Sequence, residues 1–281
     1  MSQALLITGA SGVLGRSIVK SALDAGFNVI QAVRDLQKAH PAAAAVRFDY
    51  ADPATFGPAL AGVSRLLLMA PPLDAGAPAK LAPVIAEAKA AGLEHVVFIS
   101  AFGVNHNEQA PLRVVEHLVM DSGIRYAILR PNFFMENFSE GFLAPGIRAR
   151  GSIDLAAGDG KTSFISVQDI AACSVALFRA PRDRQEYDLT GAEALDHAEV
   201  ARIISEVSGR PVKYNSLSEE EMLAGARAAG MPEPVLGYLA ALYSAVRAGY
   251  AAFITGGVEE LTGRPPIRFA EFARAAAAAW K

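Results

Sequence analysis

The chain has 281 residues, 52% of them hydrophobic and 20% charged, with a net charge of −3. That length holds one large domain or two small ones, and the apolar share suffices for a sizeable core. The near-neutral balance offers no broad basic footprint for nucleic acid, and the single cysteine, Cys173, excludes a disulfide within the chain.

Nothing resembling a basic n-region or a cleavage site precedes the first apolar run, so no signal peptide is expected. No apolar run has the length of a membrane span, and the expectation is a cytoplasmic protein without membrane partners, monomeric or homodimeric. The run Ala4-Leu5-Leu6-Ile7-Thr8 reads as a strand, Gly9-Ala10-Ser11-Gly12-Val13-Leu14-Gly15 as a glycine turn, and Arg16 to Asp24 as a helix. Asn28-Val29-Ile30-Gln31-Ala32-Val33 is a second strand, ending in Arg34-Asp35. This order opens a dinucleotide-binding unit. Gly9 permits the tight turn out of the strand, Gly12 leaves room for a pyrophosphate, and Gly15 brings helix and strand close. The helix start then offers N–H groups and a partial positive charge to phosphates. Thr8, Gly9, Ser11, Gly12, Val13 and Leu14 are therefore candidate cofactor residues.

The end of the second strand sets the nicotinamide cofactor. An arginine there suits the 2′-phosphate of NADP, whereas an acid suits the ribose of NAD. Arg34 comes first and favours NADPH; Asp35 keeps NADH as the alternative, and a solvated turn is the plain reading of the pair.

A short third strand is expected at Val46-Arg47-Phe48, with Asp52 capping a short helix that holds Phe56 and Leu60. Asp49 reads either as an adenine contact or as an exposed loop carboxylate. Arg65-Leu66-Leu67-Leu68-Met69 has the continuous apolar character of a strand buried on both faces. The turn Met69-Ala70-Pro71 after it should border the cofactor, because ligands sit beyond the carboxyl ends of such strands. A helix from Lys80 to Ala91 leads to strand His95 to Ile99, whose end, Ser100-Ala101-Phe102, also lies on the ligand side. Next come a helix from Pro111 to Ser122 and strand Arg125 to Leu129, followed by Arg130-Pro131-Asn132-Phe133-Phe134-Met135-Glu136-Asn137. Pro131 joins the cofactor set. Phe102, Asn132, Phe133, Phe134, Met135 and Asn137 are candidate substrate residues, an apolar, aromatic wall with two neutral hydrogen-bonding groups.

Further on, Ser152 to Leu155 and Ser163 to Ser166 read as two short strands around Gly158-Asp159-Gly160. A helix from Val167 to Phe178 and a last sheet strand at Glu186 to Thr190 follow. Helices are expected near Asp196–Val207, Glu219–Ala229, Pro232–Tyr250 and Phe269–Trp280. Cys173 reads as a buried structural thiol, and Glu219-Glu220-Glu221 as the acidic first turn of a helix capped by Ser218. The fold expected is α/β: a Rossmann-type, doubly wound parallel sheet with a smaller, mostly helical C-terminal lobe that closes the substrate cleft. Residues 1–137 form the dinucleotide-binding core. Residues 138–281 contribute a late sheet strand and the lobe, in one integrated unit.

With these motifs in place the chain resembles the NmrA-like branch of the atypical short-chain dehydrogenase/reductases. The resemblance rests on residues 9–15, Val33-Arg34-Asp35, Ser122-Gly123-Ile124, the stretch Leu129 to Asn137 and the stretch Gly160 to Ala171. It implies one of two functions: an NADPH-dependent reductase of quinones, triphenylmethane dyes or ergot-alkaloid iminium ions, or a catalytically silent redox sensor acting through a protein partner. The main short-chain branch takes its acid from a Tyr-x-x-x-Lys pair on the helix after the fifth strand. Here that helix reads Pro111-Leu112-Arg113-Val114-Val115-Glu116-His117-Leu118, with neither residue, and the lysine of the isoflavone-reductase-like enzymes would fall near Leu112. Hydride delivery to an isolated ketone leaves an alkoxide that needs a proton. A cationic acceptor yields a neutral product, and the reduced anion of a quinone is delocalised. The expectation is therefore a reductase of conjugated or cationic acceptors, with no metal and no assigned catalytic residue. A sugar-nucleotide epimerase would need a base that this helix lacks. Glu116 and His117 read as a solvated helix face, with His106 and Glu108 better placed for a proton relay.

Overall fold

A computed structural model describes residues 4–281. Its strands are β1 (Ala4–Ile7), β2 (Asn28–Val33), β3 (Ala44–Arg47), β4 (Val63–Met69), β5 (His95–Ile99), β6 (Arg125–Pro131), β7 (Ser152–Leu155), β8 (Gln185–Leu189) and β9 (Lys213–Ser216). The helices are α1 (Val13–Asp24), α2 (Phe56–Leu60), α3 (Ala77–Ala90), α4 (Pro111–Asp121), α5 (Ala144–Arg150), α6 (Val167–Arg179), α7 (His197–Ser208), α8 (Glu219–Ala228), α9 (Glu233–Arg247), α10 (Gly257–Thr262) and α11 (Phe269–Ala276). Two compact units emerge. Unit 1 runs to Pro131 and adds Val167–Leu189 and Glu260–Gly263; unit 2 comprises Asn132–Ser166, Thr190–Glu259 and Arg264–Lys281.

Unit 1 is a seven-stranded sheet in the order β3-β2-β1-β4-β5-β6-β8. Every pairing is parallel. Parallel strands need covering on both faces, which is why β1, β4 and β5 are almost unbroken apolar runs. Leu5, Leu6, Ile7, Leu67, Leu68, Val97 and Phe98 are fully buried. Each such side chain contributes roughly 1.5–3 kcal/mol of transfer free energy. One core joins Leu6, Leu66, Leu68, Phe98 and Ile128 to Leu81 and Val84 of α3 and Val115 and Val119 of α4. Helices α1 and α6 pack together, with the Ser17 hydroxyl donating to the Val167 carbonyl at 3.4 Å. The chain winds outward from β1 to β3, then returns to β4 and winds the other way. That reversal opens the ligand crevice at the carboxyl ends of β1 and β4.

Unit 2 is built on aromatic packing. Phe138 lies edge-on to Phe164 and Phe269, with ring centroids 5.2 and 5.5 Å away. Trp280 is buried among them and donates its indole N–H to the Phe138 carbonyl at 2.7 Å, which ties the chain's last turn into the core. Helix α8 starts with the reciprocal cap expected at Ser218, whose hydroxyl accepts from Glu221 N while Glu221 accepts from Ser218 N.

Several sequence expectations are corrected here. β7 pairs in parallel with β9, and residues 163–166 make no strand beside it. Thr162 and Ile165 form only isolated bridges, to Leu195 and Phe134. The cause is chemical: the Ser163 hydroxyl donates to the Phe253 carbonyl and the Ser166 hydroxyl to Glu136, drawing that segment away from a hairpin. Asp52 stands at the cap position of a short 3₁₀ turn, but its carboxylate makes no capping bond and lies 3.5 Å from the Arg47 guanidinium. Helix α9 stops at Arg247 because Gly249 turns left-handed, with φ +82°. Among the described residues no helix is long and apolar enough to cross a membrane.

Candidate active site

The turn after β1 divides its three glycines by role. Gly9 has φ +62°, a conformation that L side chains resist. A Cβ on Gly15 would lie 2.1 Å from the Gly9 carbonyl oxygen, so only glycine lets α1 approach β1 there. Gly12 differs. Its backbone is extended, with φ −78° and ψ 171°, and a Cβ there would meet only the Gly9 oxygen, at an ordinary 3.4 Å. Nothing among the described residues requires a glycine at 12, so the requirement points outward, to a group lying against the exposed backbone. Helix α1 begins at this point with no side-chain cap among the described residues and no acid in its first turn. Its leading N–H groups and its dipole are left for an anion. Ser11 and Val13 are half-buried beside it, and Leu14 is buried. These features fit a dinucleotide pyrophosphate.

Thr8 serves the sheet. Its buried hydroxyl donates to the Leu67 carbonyl at 3.1 Å and accepts from Met69 N at 2.8 Å. The Tyr50 hydroxyl closes the same corner by donating to the Met69 carbonyl at 2.5 Å, and burial pushes its pKa up. Met69 in turn lies over Gly9, its Cε 3.1 Å from where a Cβ would stand. The carboxyl ends of β1 and β4 are thereby locked to each other. Ala70 and Pro71 follow, half-buried.

At the end of β2 the two charges part company. Asp35 accepts from Gln37 N at 3.0 Å and so caps the turn that follows. Arg34 is exposed, with no partner among the described residues. A free guanidinium beside a carboxylate already engaged fits a 2′-phosphate better than a bare ribose. Asp49 is half-buried and folds its carboxylate back onto Ala51 N at 3.0 Å.

On the far side of the sheet, Ser100 is buried, while Ala101 and Phe102 are half-buried; Phe102 N donates to the Pro131 carbonyl at 3.0 Å. Beneath this edge lies a charged cluster. Glu116 of α4 is fully buried rather than solvated, and Arg130 of β6 is 4% exposed. The Arg130 guanidinium donates to both Glu116 oxygens at 2.7 Å and reaches Glu186 as well. Arg113 adds a 2.8 Å bond to Glu116. Burial pulls the Glu116 carboxyl upward, but the hydrogen bonds from Arg130 and Arg113 outweigh it and the net shift is down. His117 does lie on the outer face, 2.7 Å from Glu108, which also pairs with Arg113 at 3.1 Å.

In unit 2, Phe133 and Phe134 are half-buried. Met135 is 1% exposed and belongs to the core, so its side chain is closed to a ligand. The Asn132 amide is likewise committed, donating to Ser163 Oγ and to the Ala251 carbonyl, both at 2.8 Å. Asn137 is half-buried, and its carbonyl accepts from Leu143 N at 3.1 Å.

The NmrA-like family model matches residues 1–253. The chain belongs to the NmrA-like family. It is 33% identical to the NAD(P)H azoreductase of Xenophilus azovorans over 98% of this chain and 99% of the relative. Among solved structures it resembles the triphenylmethane reductase of Citrobacter sp. complexed with NADP(H), at 26% identity and a TM-score of 0.83. That match covers 97% of this chain and 99% of the other. The NADPH-dependent quinone oxidoreductase QOR2 of Escherichia coli, complexed with NADPH, matches at 27% identity and a TM-score of 0.83, over 96% and 99% of the two chains.

The sequence leaves one feature of this NmrA-like chain unmarked, and another, Glu116, is buried where a solvated helix face is expected. Tyr50, which locks Met69, carries no pattern that marks it. Glu116 had a signal: Arg130 follows the apolar run Ala127-Ile128-Leu129, and a guanidinium inside a buried strand calls for a carboxylate from the covering helix.

Proposed function

We propose that the protein is an NADPH-dependent reductase that delivers hydride to a conjugated or cationic small molecule, a quinone, an iminium ion or a dye. The observation that carries this reading is the state of α4. It offers no tyrosine or lysine, and its one buried acid, Glu116, is held ionised by Arg130 and Arg113. An ionised, doubly paired carboxylate has no proton to give. The acceptor must therefore become stable on receiving hydride alone, or draw its proton from water. Relatives that act on azo and triphenylmethane dyes and on quinones support this acceptor class.

The cofactor-side roles fall to unit 1. The backbone N–H groups of Val13 and Leu14, with Ser11 and the bare backbone of Gly12, grip the pyrophosphate at the start of α1. Arg34 binds the 2′-phosphate by charge-assisted hydrogen bonds. Asp49 faces the adenine side, and the strand ends at Met69, Ala70, Pro71, Ser100, Ala101 and Pro131 line the remainder. A reduced nicotinamide, when bound, supplies the hydride, and the protein contributes orientation and exclusion of water. Phe102, Phe133 and Phe134 are the acceptor-side rings.

Titrating the purified protein with NADPH and NADH, then adding naphthoquinone, malachite green and a cyclic iminium salt, tests the reading. Loss of the nicotinamide absorbance with at least one acceptor, and tighter binding of NADPH than NADH, is the expected result. Tight binding without turnover across the panel would replace the reductase with an NADP-binding sensor.

A further inference from the structure

Within unit 1, residues 34–43 join β2 to β3 through a surface loop with one 3₁₀ turn, Leu36–Lys38, that buries no side chain. Arg34 to Lys38 are all exposed, Leu36 by 55%. Such a loop has no apolar anchor, and its bonds to itself are local. Asp35 accepts from Gln37 N at 3.0 Å, Lys38 N donates to the Asp35 carbonyl at 3.1 Å, and Ala42 N donates to His40 Nδ1 at 3.2 Å. The hold from the sheet comes from Gln31. This residue lies between Ile7 of β1 and Ala45 of β3 in the parallel ladders and is 1% exposed. Its Oε1 accepts from His40 N at 2.7 Å, while its Nε2 donates to the His40 carbonyl at 2.9 Å and to the Ala43 carbonyl at 3.3 Å. One side chain thus grips both backbone groups of His40 and closes the loop back onto the strand it left.

We infer that Gln31 is a positioning residue for cofactor selection: its clamp on His40 and Ala43 holds the turn that begins at Arg34 in its binding shape before the dinucleotide arrives. The inference rests on the proposed role of Arg34 at the 2′-phosphate. Two observations carry it. First, Val29, Ala32 and Val33 around Gln31 are buried, so an apolar side chain would suit the strand at this point. An amide there recovers its lost hydration only through the loop it holds. Second, the loop it holds carries the exposed guanidinium of Arg34, and no buried side chain of the turn fixes its shape. Without the clamp the loop would have to become ordered on binding, and that lost freedom opposes association. NADH makes no phosphate bond to Arg34 and depends less on the shape of the turn.

The test is a double-mutant cycle on dinucleotide binding. Gln31→Met keeps an unbranched side chain of similar length and removes all three bonds. The Kd for NADPH should rise about fivefold and that for NADH by less than about twofold. In an Arg34→Ala background the same substitution should change NADPH binding by less than about twofold, because Gln31 acts through Arg34. Equal weakening of both dinucleotides, or losses that simply add in the double variant, would overturn the inference and leave Gln31 a structural residue. Amide exchange of wild type decides the matter if Gln31→Met does not fold. The His40 N–H should be as protected in the free protein as in the NADPH complex, and protection that comes only with NADPH would overturn the inference. An Arg34→Ala variant that binds NADPH as wild type does would instead remove the reading of Arg34 beneath it.

Discussion

Unit 1 closes a charged pair inside a regular layer, Arg130 of β6 against Glu116 of α4. Unit 2 sets neutral side chains, Asn132, Ser163 and Thr190, against the bare backbone of an irregular loop. The difference follows from where backbone hydrogen bonds go. Inside a parallel sheet the strands satisfy one another's backbone, and a buried guanidinium such as that of Arg130 needs a carboxylate to offset its charge. A loop has carbonyls and N–H groups left over, and amides and hydroxyls are the cheapest groups to meet them. One unit therefore stakes its stability on charge compensation, and the other on shape.

That contrast predicts unequal costs. Glu116→Ala leaves Arg130 buried with, among the described residues, the half-exposed Glu186 and the more distant Asp188 as its remaining carboxylates, and should lower the urea-unfolding free energy by about 3–5 kcal/mol. Asn132→Ala, which frees a neutral carbonyl, should cost about 1–3 kcal/mol. The double variant Glu116→Leu/Arg130→Met should recover most of the larger loss, because apolar side chains carry no desolvation penalty. Equal costs for the two single variants would erase the distinction.

Each unit also buries one histidine, which offers a matched comparison. Burial pushes His95 in unit 1 and His197 in unit 2 down to about 4, from an ordinary 6.5; for His95 the Arg125 charge adds to the effect. A depressed folded-state value means that the fold prefers the neutral ring. The stabilisation is complete above pH 6.5 and is lost as pH falls from 6.5 toward 4, by about 3 kcal/mol for each ring. His197 sits among Phe164, Tyr214, Phe138 and Tyr243, so His197→Phe fits its surroundings and should flatten that part of the acid limb. Chemical denaturation at pH 7, 5.5 and 4 measures the slope. An unchanged slope in His197→Phe would mean that the charged ring is tolerated in unit 2.

The two units were also unequally legible in sequence. β1, the glycine turn, α1 and β2 announce themselves because Gly9 and Gly15 answer backbone constraints that glycine alone meets, and because β4 and β5 are too apolar for any exposed element. In unit 2 the pairing of β7 with β9 could not be read. Lys213-Tyr214-Asn215-Ser216 has no apolar alternation, and its partner lies some sixty residues earlier in the chain. Ser163 to Ser166 looked like a strand because Phe164 and Ile165 are apolar, but its serines bond to a loop and to Glu136 instead. Glu116 misled for the opposite reason: helical periodicity assigns a charged residue to water unless its partner in the sheet is considered at the same time.

The smallest expected effect on stability belongs to the most selective substitution. Arg34 is exposed and has no partner among the described residues, so Arg34→Ala removes no interaction that holds unit 1 together, and the urea midpoint should not move. What it removes is the cation at the end of β2, while Asp35 goes on capping its turn through Gln37 N. Charge-assisted bonds to a phosphate contribute about 2 kcal/mol here, so the Kd for NADPH should rise roughly thirtyfold while that for NADH stays put. KM for the acceptor, at saturating cofactor, should also stay put, since the contacts proposed for it lie elsewhere. Equal weakening of both dinucleotides would assign Arg34 to the shared part of the cofactor and remove the basis for preferring NADPH. A loss confined to NADPH would place the discrimination in a single side chain that the fold itself does not use.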